Sequence, residues 1–105
     1  MKKVLILEDN IETLLYLKKL LLTINSDIEV LTFSNMEGVY EVVLNSYIDL
    51  FIVDIIINPD SPGDTSGIRF AEKVRMITKY EFTPIIFITS LEDPTLYAFK
   101  TLHSF

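Results

Sequence analysis

Residues 50–58 read LFIVDIIIN. One carboxylate, Asp54, stands inside the most strand-like run of the chain, among apolar and mostly β-branched neighbours. Burying a lone carboxylate is costly unless it is paired or liganded. Asp54 therefore ends a buried strand inside a site, or the run is not a buried strand.

Similar runs occur at Val4–Leu7 and Pro84–Thr89, both almost continuously apolar, and at the more mixed Ile28–Phe33. Continuous apolar runs suit parallel strands covered on both faces; the mixed run suits a place nearer an edge. Helical patterns lie between them. Ile11–Ile24 carries Leu14, Leu17, Leu21 and Ile24 at helical spacing, with Leu15 and Leu22 broadening the stripe and Asn10 or Asp9 placed to cap it. Met36–Asn45 turns Val39, Val42 and Val43 inward, and Ser66–Thr78 puts Ile68, Ala71, Val74 and Ile77 on one face. Pro94–Leu102 follows Asp93, a capping residue before a proline at the first helical position. Four alternations of strand and helix predict a parallel sheet with right-handed crossovers. The expected fold is a flavodoxin-like, doubly wound α/β sheet forming a single domain over residues 1–105. The loop NPDSPGDTS, residues 58–66, marks a surface excursion after the third strand.

The composition narrows the function. Nine Lys and Arg against fifteen Asp and Glu give a net charge of −6, which argues against nucleic-acid binding by this segment. With no cysteine, disulfides and thiolate metal sites are excluded. The N-terminal apolar run is too short for a signal peptide, and no stretch has the length of a membrane span. A cytoplasmic domain with no membrane partner is the expectation.

In a doubly wound sheet, ligands bind beyond the carboxyl ends of the strands, at the switch point in strand order. The first strand is followed by Glu8 and Asp9, the third carries Asp54 near its end, and the fourth ends in Thr89 and Ser90. If strands one, three and four are adjacent, three acids and two hydroxyls converge. Glu8 and Asp9 taken alone also fit a plain capping role, and Thr89-Ser90 a plain turn. Three carboxylates close together repel, which raises their proton affinity unless a cation neutralises them. A hard divalent ion with oxygen ligands, Mg²⁺, is the natural partner. A carboxylate beside such an ion can act as a nucleophile toward a phosphoryl group and become an aspartyl phosphate.

The remaining features have plain readings. Tyr40, Tyr47, Tyr80 and Tyr97 read as packing residues with surface hydroxyls. Lys18, Lys19, Lys73, Arg75 and Lys79 read as solvated helix faces, and Asp60 and Asp64 as solvated loop acids. His103, the only histidine, reads as a solvent-facing residue at a helix end.

Taken in order, VLILEDN, FIVDIII, SGIRFAEKVR and TPIIFITS resemble the receiver domain of two-component response regulators, over essentially the whole chain. The loop with a late Ser66-Gly67 and the tail ITSLEDPTLYAFKTLHSF resemble receivers that precede LytTR-type DNA-binding domains. The resemblance implies that Asp54 accepts a phosphoryl group from a sensor histidine kinase. It implies that Glu8, Asp9, Asp54 and the backbone carbonyl of Ile56 hold Mg²⁺, and that Thr89 is the switch hydroxyl. Gly67 would belong to the turn before the third helix. Ile56 and Leu91 occupy the positions that tune hydrolysis of the phosphate; both are apolar and give no help to an attacking water. The function implied is a switch controlling an output, transcription in the intact protein, rather than a free-standing metabolic enzyme.

Receivers also have a fifth strand and helix, with a lysine on that strand paired to the phosphoryl group. The chain stops at about the start of that strand, so the expectation is a receiver truncated before it. Lys100 lies in the fourth helical pattern and does not take the lysine's place. An exposed fourth strand would invite homodimerisation through that face, and loss of the lysine would weaken phosphorylation. Two alternatives stand beside the switch. One is a degenerate receiver serving only as an interaction module. The other is an aspartate-nucleophile phosphatase, which would want a second acid where the chain has Ile56.

Overall fold

The computed structural model of the chain describes residues 1–57 and 65–88. Within them the elements run β1 (Lys2–Leu7), α1 (Ile11–Ile24), β2 (Ile28–Phe33), α2 (Val39–Asn45), β3 (Leu50–Asp54), α3 (Ser66–Arg75), a 3₁₀ turn (Thr78–Tyr80) and β4 (Ile85–Ile88). The strands form one sheet in the order β2-β1-β3-β4, and every neighbouring pair is parallel. The chain leaves β1 toward β2 on one side and returns through β3 toward β4 on the other. The switch point of this doubly wound sheet thus lies between β1 and β3. The mixed strand β2 is an edge. β4 pairs with β3 alone among the described residues.

Alternation along the strands divides the core between two faces. Leu5 and Leu7 of β1, with Phe51 and Val53 of β3, pack with Val39 and Val43 of α2 and with Phe70, Ala71 and Val74 of α3. Val4 and Ile6 of β1, with Ile52 of β3, pack on the opposite face against Leu14 of α1. Both faces of β1 and β3 are covered, which explains why these strands are almost continuously apolar.

The element boundaries shift where local chemistry overrides periodicity. The second helix starts at Val39 rather than Met36. Asn35 Oδ1 accepts the Glu37 N–H at 2.8 Å in a local turn, and Gly38 takes a left-handed conformation at φ 77° before the helix. The third helix stops at Arg75 because Ile77 is extended (φ −80°, ψ 123°) and the chain tightens into the 3₁₀ turn. β3 ends at Asp54; Ile55 and Ile57 remain buried without continuing the strand. On α1 the inward stripe is narrower than its leucines suggest. Leu14 is buried and Leu17 and Leu21 pack against it, whereas Leu15 (58% exposed) and Ile24 (74%) face outward. The fourth helical pattern, Pro94–Leu102, lies outside the described residues, as do Tyr97, Asp60, Asp64, Lys100 and His103.

Three polar groups expected to face solvent, the Tyr80 hydroxyl and the heads of Lys79 and Arg75, instead tie the structure together. Tyr80 is fully buried, and its hydroxyl lies 2.6 Å from the Val43 carbonyl and 2.7 Å from that of Ser46, while accepting the Ile48 N–H at 3.3 Å. Lys79 Nζ donates to the carbonyls of Leu44 and Ser46, at 2.9 and 2.7 Å. A guanidinium nitrogen of Arg75 donates to the carbonyls of Tyr80, Glu81 and Thr83, at 2.9, 3.1 and 2.6 Å. These bonds fasten the segments entering β3 and β4 at the end of the sheet away from the acids. Tyr80→Phe, which leaves the Ile48 N–H and a carbonyl without this partner in a buried place, is expected to cost about 1–3 kcal/mol in chemical denaturation. Phe82→Ser, at a side chain 88% exposed, should shift stability by no more than about 0.5 kcal/mol.

Candidate functional site

Leu7 pairs with Val53, the last register pair of β1 and β3. One residue further along each strand come Glu8 and Asp54, at the carboxyl ends and at the switch point. Asp54 follows Ile52 in alternation. Its carboxylate emerges at the strand end beyond the α1-side core, and it keeps only 7% exposure. Glu8 is equally withdrawn, at 5%. Its Oε1 accepts the Asn10 N–H at 3.1 Å. Asn10, and neither acid, caps α1: its Oδ1 accepts the Thr13 N–H at 3.1 Å. Capping therefore does not account for the acid pair.

Glu8, Asp9 and Asp54 each present a carboxylate oxygen to the others, and the three oxygens lie within 4.8 Å of one another. Burial is the main force on Asp54. It raises the pKa from 3.8 to about 9, with contacts to Asp9 and the nearby Glu8 charge pushing the same way. The Ile56 N–H, which donates to Asp54 Oδ1 at 3.2 Å, pulls in the opposite direction. Burial also raises Glu8 above its ordinary range, while its bonds to the Asn10 N–H and to Asp54 hold it down. Without a cation, burial and mutual repulsion favour a retained proton within the Glu8–Asp54 pair.

The donor set suits a hard divalent cation: it is all oxygen and all carboxylate, and it holds a proton that a cation would displace. Opposite oxygens around octahedral Mg²⁺ at ~2.1 Å stand about 4.2 Å apart, close to the spread of the cluster. Ile56 joins the site through its N–H. Thr89 and Leu91 lie outside the described residues. Gly67, placed by sequence in the turn before the third helix, sits inside the first turn of α3 and is buried against the strand end. The close approach was not readable, because it joins residues distant in sequence. The only signal was that the residue is a glycine beside a polar loop.

The raised pKa of Asp54 sets a stability trend for the metal-free chain. Between 3.8 and about 9, the folded state keeps a proton that the unfolded state has released. The stabilisation is complete below that window and is lost as pH rises through it. Denaturant midpoints measured in a chelator should therefore fall across the window. Asp54→Asn should flatten the fall, and Mg²⁺ should flatten it too by favouring the ionised cluster. A midpoint that climbs with pH in the parent protein would contradict the arrangement.

No protein-family model matches the chain, and no curated protein matches it at a significant level. Solved structures do match. The chemotaxis response regulator CheY4 of Vibrio cholerae aligns with a TM-score of 0.70 at 27% identity, covering 99% of this chain and 82% of that one. The signal receiver domain of a modulated diguanylate cyclase from Desulfovibrio desulfuricans G20 aligns with a TM-score of 0.68 at 25% identity, covering 97% and 75%. The MaeR response regulator bound to beryllium trifluoride aligns with a TM-score of 0.69 at 20% identity, covering 98% and 78%. The chain has the flavodoxin-like fold of response-regulator receiver domains.

Proposed function

We propose that the chain is a phosphorylation-dependent signalling switch in which Asp54 accepts a phosphoryl group from a sensor histidine kinase. The observation that carries this reading is the position of the acid trio. Glu8, Asp9 and Asp54 meet at the switch point of a receiver-type sheet, and Asp54 is the acid set in the strand itself. An Asp54 carboxylate oxygen forms a bond to phosphorus. The phosphorus–nitrogen bond of the phosphohistidine breaks, and the leaving imidazole keeps the electron pair and takes up a proton. Glu8, Asp9, Asp54 and the Ile56 carbonyl would hold Mg²⁺, which supplies charge neutralisation for the transferring group. Thr89 is proposed as the hydroxyl that meets the phosphoryl oxygens.

Ile56 is half-buried and apolar. It offers neither an acid nor a base two residues after the nucleophile, which disfavours an aspartate-nucleophile phosphatase and favours a slowly hydrolysed aspartyl phosphate. A cytoplasmic location, an output in transcription and a LytTR-type effector belong to the same reading. So does pairing with a second copy along β4, whose outer edge has no strand neighbour among the described residues.

Intact mass after incubation with phosphoramidate and Mg²⁺ tests the central claim. One phosphoryl adduct is expected on the parent chain, none on Asp54→Asn, and none on either in excess chelator. An unmodified parent under conditions where Mg²⁺ raises its melting temperature would favour the alternative of a degenerate receiver, an interaction module that keeps the metal site and has lost the transfer. An adduct that persists in Asp54→Asn would place the acceptor elsewhere.

A further inference from the structure

One peptide unit beside the acid cluster is held from both ends. The carbonyl oxygen of Ile55 accepts the Gly67 N–H at 3.2 Å. The N–H of the same peptide, that of Ile56, donates to Asp54 Oδ1 at 3.2 Å. A single planar unit thus links the first turn of α3 to the carboxylate at the end of β3, and because the peptide is rigid, its two bonds are set together.

Gly67 has an ordinary negative-φ backbone, since Gly38 is the only described residue with a positive one. What it supplies is space. A Cβ at 67 would collide with the carbonyl oxygen of Asp54, and would stand 2.8 Å from the Asp54 carbonyl carbon and 2.9 Å from the Ile55 oxygen. Those atoms are backbone, and neither side can readily retreat. β3 is fixed by the pairing of Asp54 with Ile88 and by the Ile55 N–H donating to the Ile88 carbonyl at 3.0 Å. α3 is fixed by Phe70, Ala71 and Val74, all buried in the core.

We infer that Gly67 is a positioning residue for the phospho-acceptor: its N–H, acting through the Ile55–Ile56 peptide, locks Asp54 Oδ1 in place and so presents Oδ2 to the cation and the phosphorus. The inference rests on Asp54 being the acceptor. Its structural half, the locked carboxylate, stands or falls by measurements that need no phosphoryl transfer.

The test uses the full isotope-labelled chain without metal, in parent form and as Gly67→Ala. In the parent, the three-bond couplings of the Asp54 side chain should report one rotamer. The Ile56 amide should be protected from exchange, and scalar coupling should cross the bond from Gly67 N–H to the Ile55 carbonyl. In Gly67→Ala the Asp54 couplings should average and the Ile56 amide should lose its protection. Phosphoryl uptake from saturating phosphoramidate with Mg²⁺ should slow by about 10²-fold, the size expected for an ångström-scale misplacement of a reacting group. Ala71→Gly, one turn further along α3, loosens the helix without touching this peptide and should leave the Asp54 couplings as in the parent.

Averaged Asp54 couplings in the parent, or parent-like couplings in Gly67→Ala, overturn the inference. The parent measurement decides it even where the alanine variant does not fold. A parent that shows the locked rotamer and takes up no phosphoryl group overturns the reading of Asp54 as acceptor and leaves the locking established.

Discussion

Three carboxyl groups meet at the carboxyl ends of two adjacent parallel strands, and the rest of the structure is arranged around that repulsion. Two like charges ~4 Å apart cost about 4 kcal/mol at an effective dielectric of ~20. Glu8 and Asp54 are withdrawn from the water that would screen them. The cluster has two ways to relieve the cost, a retained proton or a bound cation, and both are written into its groups. Burial and the neighbouring acids drive a proton onto Asp54. The Ile56 N–H and the Asn10 N–H favour the ionised forms of Asp54 and Glu8. The balance between these forces turns on whether positive charge is present.

Such a cluster needs stiff strands. β1 and β3 are central, buried on both faces, and packed by separate side-chain sets above and below. At the opposite end of the sheet, Tyr80, Lys79 and Arg75 spend their polar groups on backbone carbonyls of the segments entering β3 and β4. The two ends divide the labour. One ties backbone carbonyls of the incoming segments to side chains. The other brings the carboxylates of Glu8, Asp9 and Asp54 together. Stiff, fully covered strands keep Glu8 and Asp54 at a fixed separation at the strand ends.

Much of this was legible in the sequence because it follows from local pattern. Asp54 was readable because an acid interrupting a β-branched run has few structural excuses. The alternation of elements gave a doubly wound sheet, but the adjacency of strands one, three and four stood only as a condition, which the order β2-β1-β3-β4 meets. Helix and strand ends were less legible. Ile55 and Ile57 stay apolar and buried after the ladder has ended, so hydrophobicity overran the true boundary of β3. Leu15 and Ile24 extended the helical stripe in sequence, yet face outward, since a stripe gives spacing and not the width of the face that the sheet can cover. Arg75 and Lys79 read as solvated groups, and Tyr80 as a packing residue with a surface hydroxyl, because their partners are carbonyls, which carry no signature in the sequence. Every residue has one, and only the tertiary fold decides which is within reach.

Gly67 shows the same limit from the other side. Its sequence surroundings suggest a turn, and a turn would call for glycine on conformational grounds. The backbone there is ordinary, so that explanation fails. The requirement is set by Asp54, thirteen positions earlier, whose carbonyl oxygen occupies the volume a side chain would need. The close approach brings the Gly67 N–H onto the Ile55 carbonyl, and the N–H of that same peptide meets Asp54. Asp54 and the start of α3 are thus bonded to the two ends of one rigid peptide unit.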